Sequence, residues 1–281
     1  MDRALLDFAI ELVEEAGGLA ARRFADAGAR GRRGTGGRRR SDAVAEAPAG
    51  TPVDVELETL LRARIGARFP DDAVLGEASG PHEGTSGRRW VLDPLNGTTL
   101  FIQRVPTFSV LLAVEDEQGP AAAVVGYPMS DELVYAGRGL GCWHQVGGFP
   151  PRQVTVQDTA SVRGALVGML NPLSWSAELL LALHRETFLV PWEKGSLDLV
   201  TGRHDALVIA GYPMSYEDLA VLPVLIGEAG GRVTDLNGAD VLTGDGSVLA
   251  SNGLLHDQLL ELAAGIPHGR DFRALREGAA R

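Results

Sequence analysis

The run Trp90-Val91-Leu92-Asp93-Pro94-Leu95-Asn96-Gly97-Thr98-Thr99-Leu100-Phe101 carries the densest chemistry in this chain. An apolar stretch ends in a carboxylate, Asp93; Pro94 and Gly97 turn the backbone, and Thr98 and Thr99 stand where a helix would begin. Backbone N–H groups at a helix start attract phosphate, and an acid just upstream can hold the hard cation that escorts it. Asn96 sits where a second carboxylate would make such a site much stronger. Three more acids stand at the edges of elements: Asp54 in Thr51-Pro52-Val53-Asp54, Glu77 in Leu75-Gly76-Glu77-Ala78, and Asp218 in Ser215-Tyr216-Glu217-Asp218. Taken singly, each has a plainer reading. Thr51 to Asp54 and Ser215 to Asp218 also read as helix caps, Glu77 as a loop acid, and Gly97-Thr98 as a turn.

The elements that must position these residues follow from periodicity. Leu5, Leu6, Ile10, Leu12, Val13 and Ala16 recur at helical spacing, with Gly17-Gly18 expected to end or loosen that helix. From about Ala27 to Gly50 the pattern collapses into an Arg- and Gly-rich loop, Arg30–Arg40. It reads either as a solvated insert or as a lid over an anionic ligand. Thr51 as N-cap and Pro52 as first helical residue predict a helix ending near Phe69-Pro70. Short strands are expected at Val74-Leu75 and Trp90–Leu92, then an antiparallel meander over Phe108–Val114, Ala121–Tyr127, Leu133–Ala136 and Cys142–Val146. A second half opens near Pro150. It has a helix around Ala177–Leu183, a strand at Phe188–Val190, a short Asp198–Val200 segment and a helix from Tyr216 to Glu228 that Pro223 should kink or interrupt. The segment Val233–Asp235, a turn at Asn237-Gly238, a strand at Val248–Ala250 and a helix at Leu254–Ala264 follow. The fold class is α/β, as α+β layers in two parts, 1–150 and 151–281.

Composition narrows the class. The 281 residues are 45% hydrophobic and 22% charged, as in ordinary globular proteins, and the net charge of -11 argues against general nucleic-acid binding. The single Cys142 precludes an internal disulfide framework and fits a reducing compartment. Asp2, Asp7, Glu11, Glu14 and Glu15 are unlike a secretion signal, and no apolar run reaches the roughly 20 residues that span a bilayer. A cytoplasmic protein without membrane or nucleic-acid partners is expected. His204 and the other histidines lack metal-ligand spacing and read as surface or loop residues.

Together the motifs resemble the inositol monophosphatase superfamily, which includes histidinol-phosphatase-like and 3'-phosphonucleotide phosphatases. The family's D-P-x-D-G-T-x-x-F is similar to Asp93–Phe101, its G-E-E to Gly76-Glu77-Ala78, and its T-E-A-D with a later Glu to Thr51–Asp54 with Glu58. Its W-D before E-A-G-G resembles Glu217-Asp218 before Glu228–Gly231, and its late A-S-N-G-L-L-H is present at Ala250–His256. The resemblance implies an α-β-α-β-α sandwich, a homodimer, and Mg²⁺ as cofactor. Glu77, Asp93 and the Leu95 carbonyl would hold a first Mg²⁺, and Asp93, Asn96 and Asp218 a second. Thr98 and Asp54 would be the catalytic dyad that orients and deprotonates water, and Gly97 and Thr98 the phosphate-binding amides. Gly195 and Ser196 would line the substrate pocket.

The chain departs from the pattern at several points. Asn96 replaces an aspartate, Ala78 the second acid of G-E-E, and Glu217 a tryptophan. The segment Gly195–Leu199 reaches Gly202–Asp205 about five residues early, and no Glu follows Asp205–Ile209. A hundred- to thousandfold loss of cation affinity at Asn96 would amount to about 2.7–4 kcal/mol. Two functions are therefore expected. One is a Mg²⁺-dependent phosphomonoesterase for a small phosphorylated sugar, cyclitol or amino alcohol, with a weakened second metal site. The other is a repurposed member that catalyses a non-hydrolytic step, such as cyclisation or dehydration, or binds a small molecule.

Overall fold

The computed structural model describes residues 2–31, 51–191 and 194–270. The chain divides into two units, Met1–Gln153 and Val154–Arg281. Most of the Arg30–Arg40 loop, and with it any lid role, lies outside the described residues.

In the first unit, helix α1 (Arg3–Gly31) runs straight through Gly17-Gly18 and past Ala27, so the expected break there is wrong. Each glycine weakens a helix by about 1 kcal/mol. That penalty is outweighed because the buried stripe Leu6, Ala9, Leu12, Val13, Ala16 continues unbroken to Ala20 and Phe24. Gly17 also faces Pro128 closely, with a Cβ-to-Cβ distance of 3.4 Å for any added side chain. Helix α2 (Pro52–Arg68) begins at Thr51 as expected and ends on Phe69.

Both helices cover a sheet of eight strands: β1 (Ala73–Gly76), β2 (Gly80–His82), β3 (Arg89–Asn96), β4 (Ser109–Asp116), β5 (Gly119–Tyr127), β6 (Glu132–Gly137), β7 (Gly141–Val146) and β8 (Arg152–Val154). The order is β2-β1-β3-β4-β5-β6-β7-β8, with β1 parallel to β3 and an antiparallel meander from β3 to β7. A short helix α3 (Thr98–Gln103) links β3 to β4. Trp90 anchors the core, stacked on Phe69 at 5.6 Å and edge-on to Phe8 at 5.9 Å. Its Nε1–H donates to buried Asp72 at 2.8 Å. Burial would raise the Asp72 carboxyl, but hydrogen bonds from Arg88, Ser86 and Trp90 outweigh it and hold the group below the usual carboxylate range.

The second unit has a five-stranded sheet in the order β10-β9-β11-β13-β12, from β9 (Leu166–Leu170), β10 (Phe188–Pro191), β11 (Ala206–Ile209), β12 (Arg232–Thr234) and β13 (Val248–Ser251). Helices α4 (Ala177–Glu186) and α8 (His256–Ala263) pack their Leu179, Leu183 and Leu259 against Val167, Val208 and Leu249. Helix α5 spans Ser196–Val200. The helix expected over Tyr216–Glu228 is two pieces, α6 (Tyr216–Leu219) and α7 (Leu222–Glu228), with Pro223 in the first turn of α7. Proline lacks the N–H that would continue the helix, so the interruption falls where it must.

Two histidines overturn the surface reading. His144 is buried and its Nε2 pairs with Glu132 at 2.9 Å. His256 is fully buried between Thr234 and Ser251. The Thr234 hydroxyl donates to the Asp235 carbonyl at 2.6 Å, so it accepts from Nε2–H of His256 at 2.9 Å. The Ser251 hydroxyl then donates to Nδ1 at 3.0 Å. Burial first, then the Arg232 charge, lower the imidazole from 6.5 to about 4, leaving it neutral.

Candidate active site

Asp54 serves two structures at once. Its Oδ2 accepts from Thr51 N–H at 2.5 Å, closing the reciprocal cap at the start of α2. Its Oδ1 lies 3.1 Å from the hydroxyl of Thr98, 44 residues along the chain. The same hydroxyl lies 3.0 Å from the Leu95 carbonyl, so its single proton has two alternative acceptors. The plain capping reading and the dyad geometry are therefore compatible, because a carboxylate has two oxygens. Asp54 is only 1% exposed, while Thr98 is half-buried.

Asp93 is equally enclosed and its Oδ1 accepts from Leu95 N–H at 3.2 Å. The β3–β4 register shifts here: Asp93 lies opposite Leu111, but Asn96 lies opposite Ser109. A regular strand would send residues three apart to opposite faces. The bulge sets three steps on β3 against two on β4, so Asp93 and Asn96 face the same side as Leu111 and Ser109. Gly97 follows with φ 83°, a left-handed conformation that glycine adopts without steric cost, and it opens α3 with no side-chain cap.

Glu77 extends from the neighbouring strand. The pairing Gly76↔Leu92 continues with Glu77 N–H donating to the Leu92 carbonyl at 3.3 Å, so Glu77 leaves the end of β1 beside Asp93 within β3. Glu58 sets this turn. Its buried carboxylate accepts from Ala78 N–H at 2.7 Å, Ser79 N–H at 3.1 Å and Arg62 Nε–H at 2.7 Å. A Cβ on Gly76 would stand 2.5 Å from the Glu58 carboxyl carbon, so glycine is required there by contact. Sequence reading noted Glu58 as part of a pattern but gave it no role; its signal is the i, i+4 spacing from Asp54 on one helix face.

In the second unit, Asp218 closes a reciprocal cap with Ser215, whose hydroxyl donates to Oδ2 at 2.8 Å. Burial first, then the Asp218 charge, raise the Tyr212 phenol above its ordinary value. Gly195 is the N-cap of α5 with φ 55°, and Ser196 is buried. Among the described residues, no three His, Cys, Asp or Glu side chains are gathered as a group that could hold a metal ion.

A model of the inositol monophosphatase family matches residues 1–268. The chain belongs to the inositol monophosphatase family. It is 33% identical over 215 residues to the histidinol-phosphatase of Mycobacterium tuberculosis, covering 75% of this chain and 82% of the relative. The histidinol-phosphatase of Chlorobaculum parvum is 31% identical over 271 residues, covering 89% and 93%. The Nus factor SuhB of Escherichia coli is 32% identical, covering 72% and 77%. Among solved structures, the suhB extragenic suppressor protein of Bartonella henselae superposes with a TM-score of 0.76 at 22% identity, covering 94% and 99%. The IMPase of Thermotoga maritima gives 0.75 at 24% identity, covering 94% and 97%. The fold is thus the layered α/β fold of the family, and the chain is a phosphatase-family enzyme, a hydrolase by kinship. No helix among the described residues is long and apolar enough to cross a membrane.

Members of this family are metal-dependent phosphatases, typically with Mg²⁺. The oxygens of Glu77 beside β1 and of Asp93 and the Leu95 carbonyl in β3 are hard donors, the chemistry Mg²⁺ takes. Asn96 contributes a dipole in place of a charge. This donor chemistry suits a hard cation.

Proposed function

We propose that this chain is a Mg²⁺-dependent phosphomonoesterase for a small phosphorylated amino alcohol, cyclitol or sugar, with a weakened second cation site. The observation that carries the reading is the Asp54–Thr98 contact, a buried carboxylate at 3.1 Å from a hydroxyl at the mouth of α3. Two relatives above 30% identity are histidinol-phosphatases, which favours the amino-alcohol ester within that class.

In this reading Glu77, Asp93 and the Leu95 carbonyl would hold the first Mg²⁺, which when bound would supply Lewis-acid polarisation. Thr98 aligns the attacking water through its hydroxyl, and Asp54 receives the proton through that hydroxyl or directly from the water. The amides of Gly97 and Thr98 bind phosphoryl oxygens. Asn96 and Asp218 are proposed for the second cation, Gly195 and Ser196 for the substrate, and a homodimer for the assembly, on the sequence resemblance alone.

The test is phosphate release from a panel of amino-alcohol, cyclitol and sugar monophosphates at millimolar Mg²⁺, for the wild type and Asn96→Asp. Slow release by the wild type and at least a tenfold gain in Asn96→Asp are expected. No release by either variant would favour the second reading, a repurposed non-hydrolytic or ligand-binding member. The neutral Asn96 and the relatives carrying the name Nus factor support that alternative.

A further inference from the structure

Asp198 is the third residue of α5, a helix that Gly195 caps and Ser196 opens. It is 7% exposed in a segment whose Leu197, Leu199 and Val200 are fully buried. An acid in such surroundings needs partners, and both of its oxygens have them. Oδ2 accepts from Lys194 N–H at 3.2 Å, just ahead of Gly195. Oδ1 accepts from Arg203 Nη1–H at 3.1 Å, past the far end of the helix. The backbone of the same residue adds three bonds. Its N–H donates to the Gly195 carbonyl at 3.2 Å, and its carbonyl accepts from Arg203 N–H at 2.8 Å and His204 N–H at 3.1 Å. Asp198 therefore ties the turn before α5 to the turn after it. The helix alone is a poor brace, because it is only 5 residues long and a single turn of helix is unstable by itself.

We infer that Asp198 is a positioning residue for substrate selection: its carboxylate fixes the Lys194–Ser196 backbone, and Arg203 fixes the carboxylate. The inference rests on the phosphatase reading, in which Gly195 and Ser196 meet the part of the substrate beyond its phosphate. It adds to that reading the group that holds those two residues in place. Asp198 acts through the backbone, since its own oxygens are already engaged by Lys194 and Arg203. An N–H donated to a carboxylate is charge-assisted and stronger than one donated to a neutral acceptor. Removing the carboxylate leaves Lys194 N–H without this acceptor and releases the turn. An amide at 198 has one acceptor oxygen and cannot serve both donors.

The test is steady-state hydrolysis of amino-alcohol and cyclitol monophosphates by the full chain at millimolar Mg²⁺, for the wild type, Asp198→Ala, Asp198→Asn and Arg203→Gln. Inorganic phosphate, which fills the phosphate end alone, is the reference inhibitor. Asp198→Ala should raise KM for the esters about tenfold, with kcat and the phosphate inhibition constant within about twofold of the wild type. Asp198→Asn and Arg203→Gln should each raise KM about threefold. Hydrogen exchange at the Lys194 amide should quicken about tenfold in Asp198→Ala. Thermal unfolding of each variant separates these effects from loss of fold, and if Asp198→Ala does not fold, the other two variants carry the comparison. A loss of phosphate inhibition equal to the rise in KM would make Asp198 a general support and overturn the proposal. Faster exchange at Lys194 with an unchanged KM would overturn it as well. If the phosphatase reading is wrong, no variant releases phosphate from any ester, and calorimetric titration with the same monophosphates decides. Weaker binding by Asp198→Ala with unchanged phosphate binding then supports the positioning role, and equal or absent ester binding overturns it.

Discussion

Replacing Glu58 by alanine removes a carboxylate that is 0% exposed and holds three donors, at 2.7 Å (Ala78 N), 3.1 Å (Ser79 N) and 2.7 Å (Arg62 Nε). Arg62, 20% exposed, is left with a half-buried charge lacking its counterion. Breaking a buried ion pair from one side costs about 3–5 kcal/mol. Two orphaned N–H groups would add about 1–3 kcal/mol each if they stayed dry. Ser79 is exposed, so water reaches that end of the turn and the terms do not sum fully. We expect Glu58→Ala to lose about 3–5 kcal/mol in urea unfolding, read from the midpoint at constant slope. The Ala78–Ser79 turn follows Glu77 directly, so its release should also raise the Mg²⁺ concentration for half-maximal activity about tenfold, or about 1.4 kcal/mol. Gly76→Ala should push on the same carboxylate and shift both readouts in the same direction. A loss under about 1 kcal/mol would refute the clamp. Full destabilisation with an unchanged Mg²⁺ requirement would refute its action on Glu77.

Thr98→Val keeps the shape but removes the hydroxyl between Asp54 and Leu95, and kcat should fall by about 10²–10⁴, the usual contribution of a positioned proton acceptor; Thr98→Ser should recover most of it in the same steady-state assay. His256, lowered to about 4 in the folded chain, is protonated first in the unfolded chain, so stability present above about pH 6.5 is lost as the pH falls toward 4. The loss approaches about 3 kcal/mol, and His256→Gln should flatten that part of the pH–stability profile measured by chemical unfolding. Arg104 adopts φ 67° at the end of α3, and one of its guanidinium nitrogens, Nη1, is buried without a hydrogen-bond partner. Its stacking on Phe24 at 3.9 Å offsets part of that strain. Arg104→Gly should therefore be neutral or stabilising by up to about 1 kcal/mol in thermal unfolding, and clear destabilisation would contradict this balance.

What the sequence revealed depended on how local the determinant was. The start of α2 was legible because Thr51, Pro52 and Asp54 specify a cap within four residues, and the meander because polar and glycine-bearing turns punctuate short apolar runs. The break between α6 and α7 was legible from Pro223 alone. The continuity of α1 through Gly17-Gly18 was not, because burial along the far side of the glycines, not local propensity, keeps the helix intact. Strands β9 and β11 were missed as elements: Leu166–Leu170 contains a glycine and Ala206–Ile209 is a short, wholly buried run, so neither alternates. The bulge that turns Asn96 to the side of Asp93 depends on β4, and nothing within β3 announces it. The burial of His256 is likewise set by Thr234 and Ser251 from two different strands.

Glu77, just past β1, and Asp93, within β3, are the acids proposed to support Mg²⁺-dependent hydrolysis of a phosphate monoester. The most direct measurement is phosphate release from amino-alcohol and cyclitol monophosphates by the wild type and Asp93→Asn, with Mg²⁺ and again after chelation. The account predicts release that needs Mg²⁺ and falls at least a hundredfold in Asp93→Asn. Release that survives either chelation or the Asp93 substitution would contradict it.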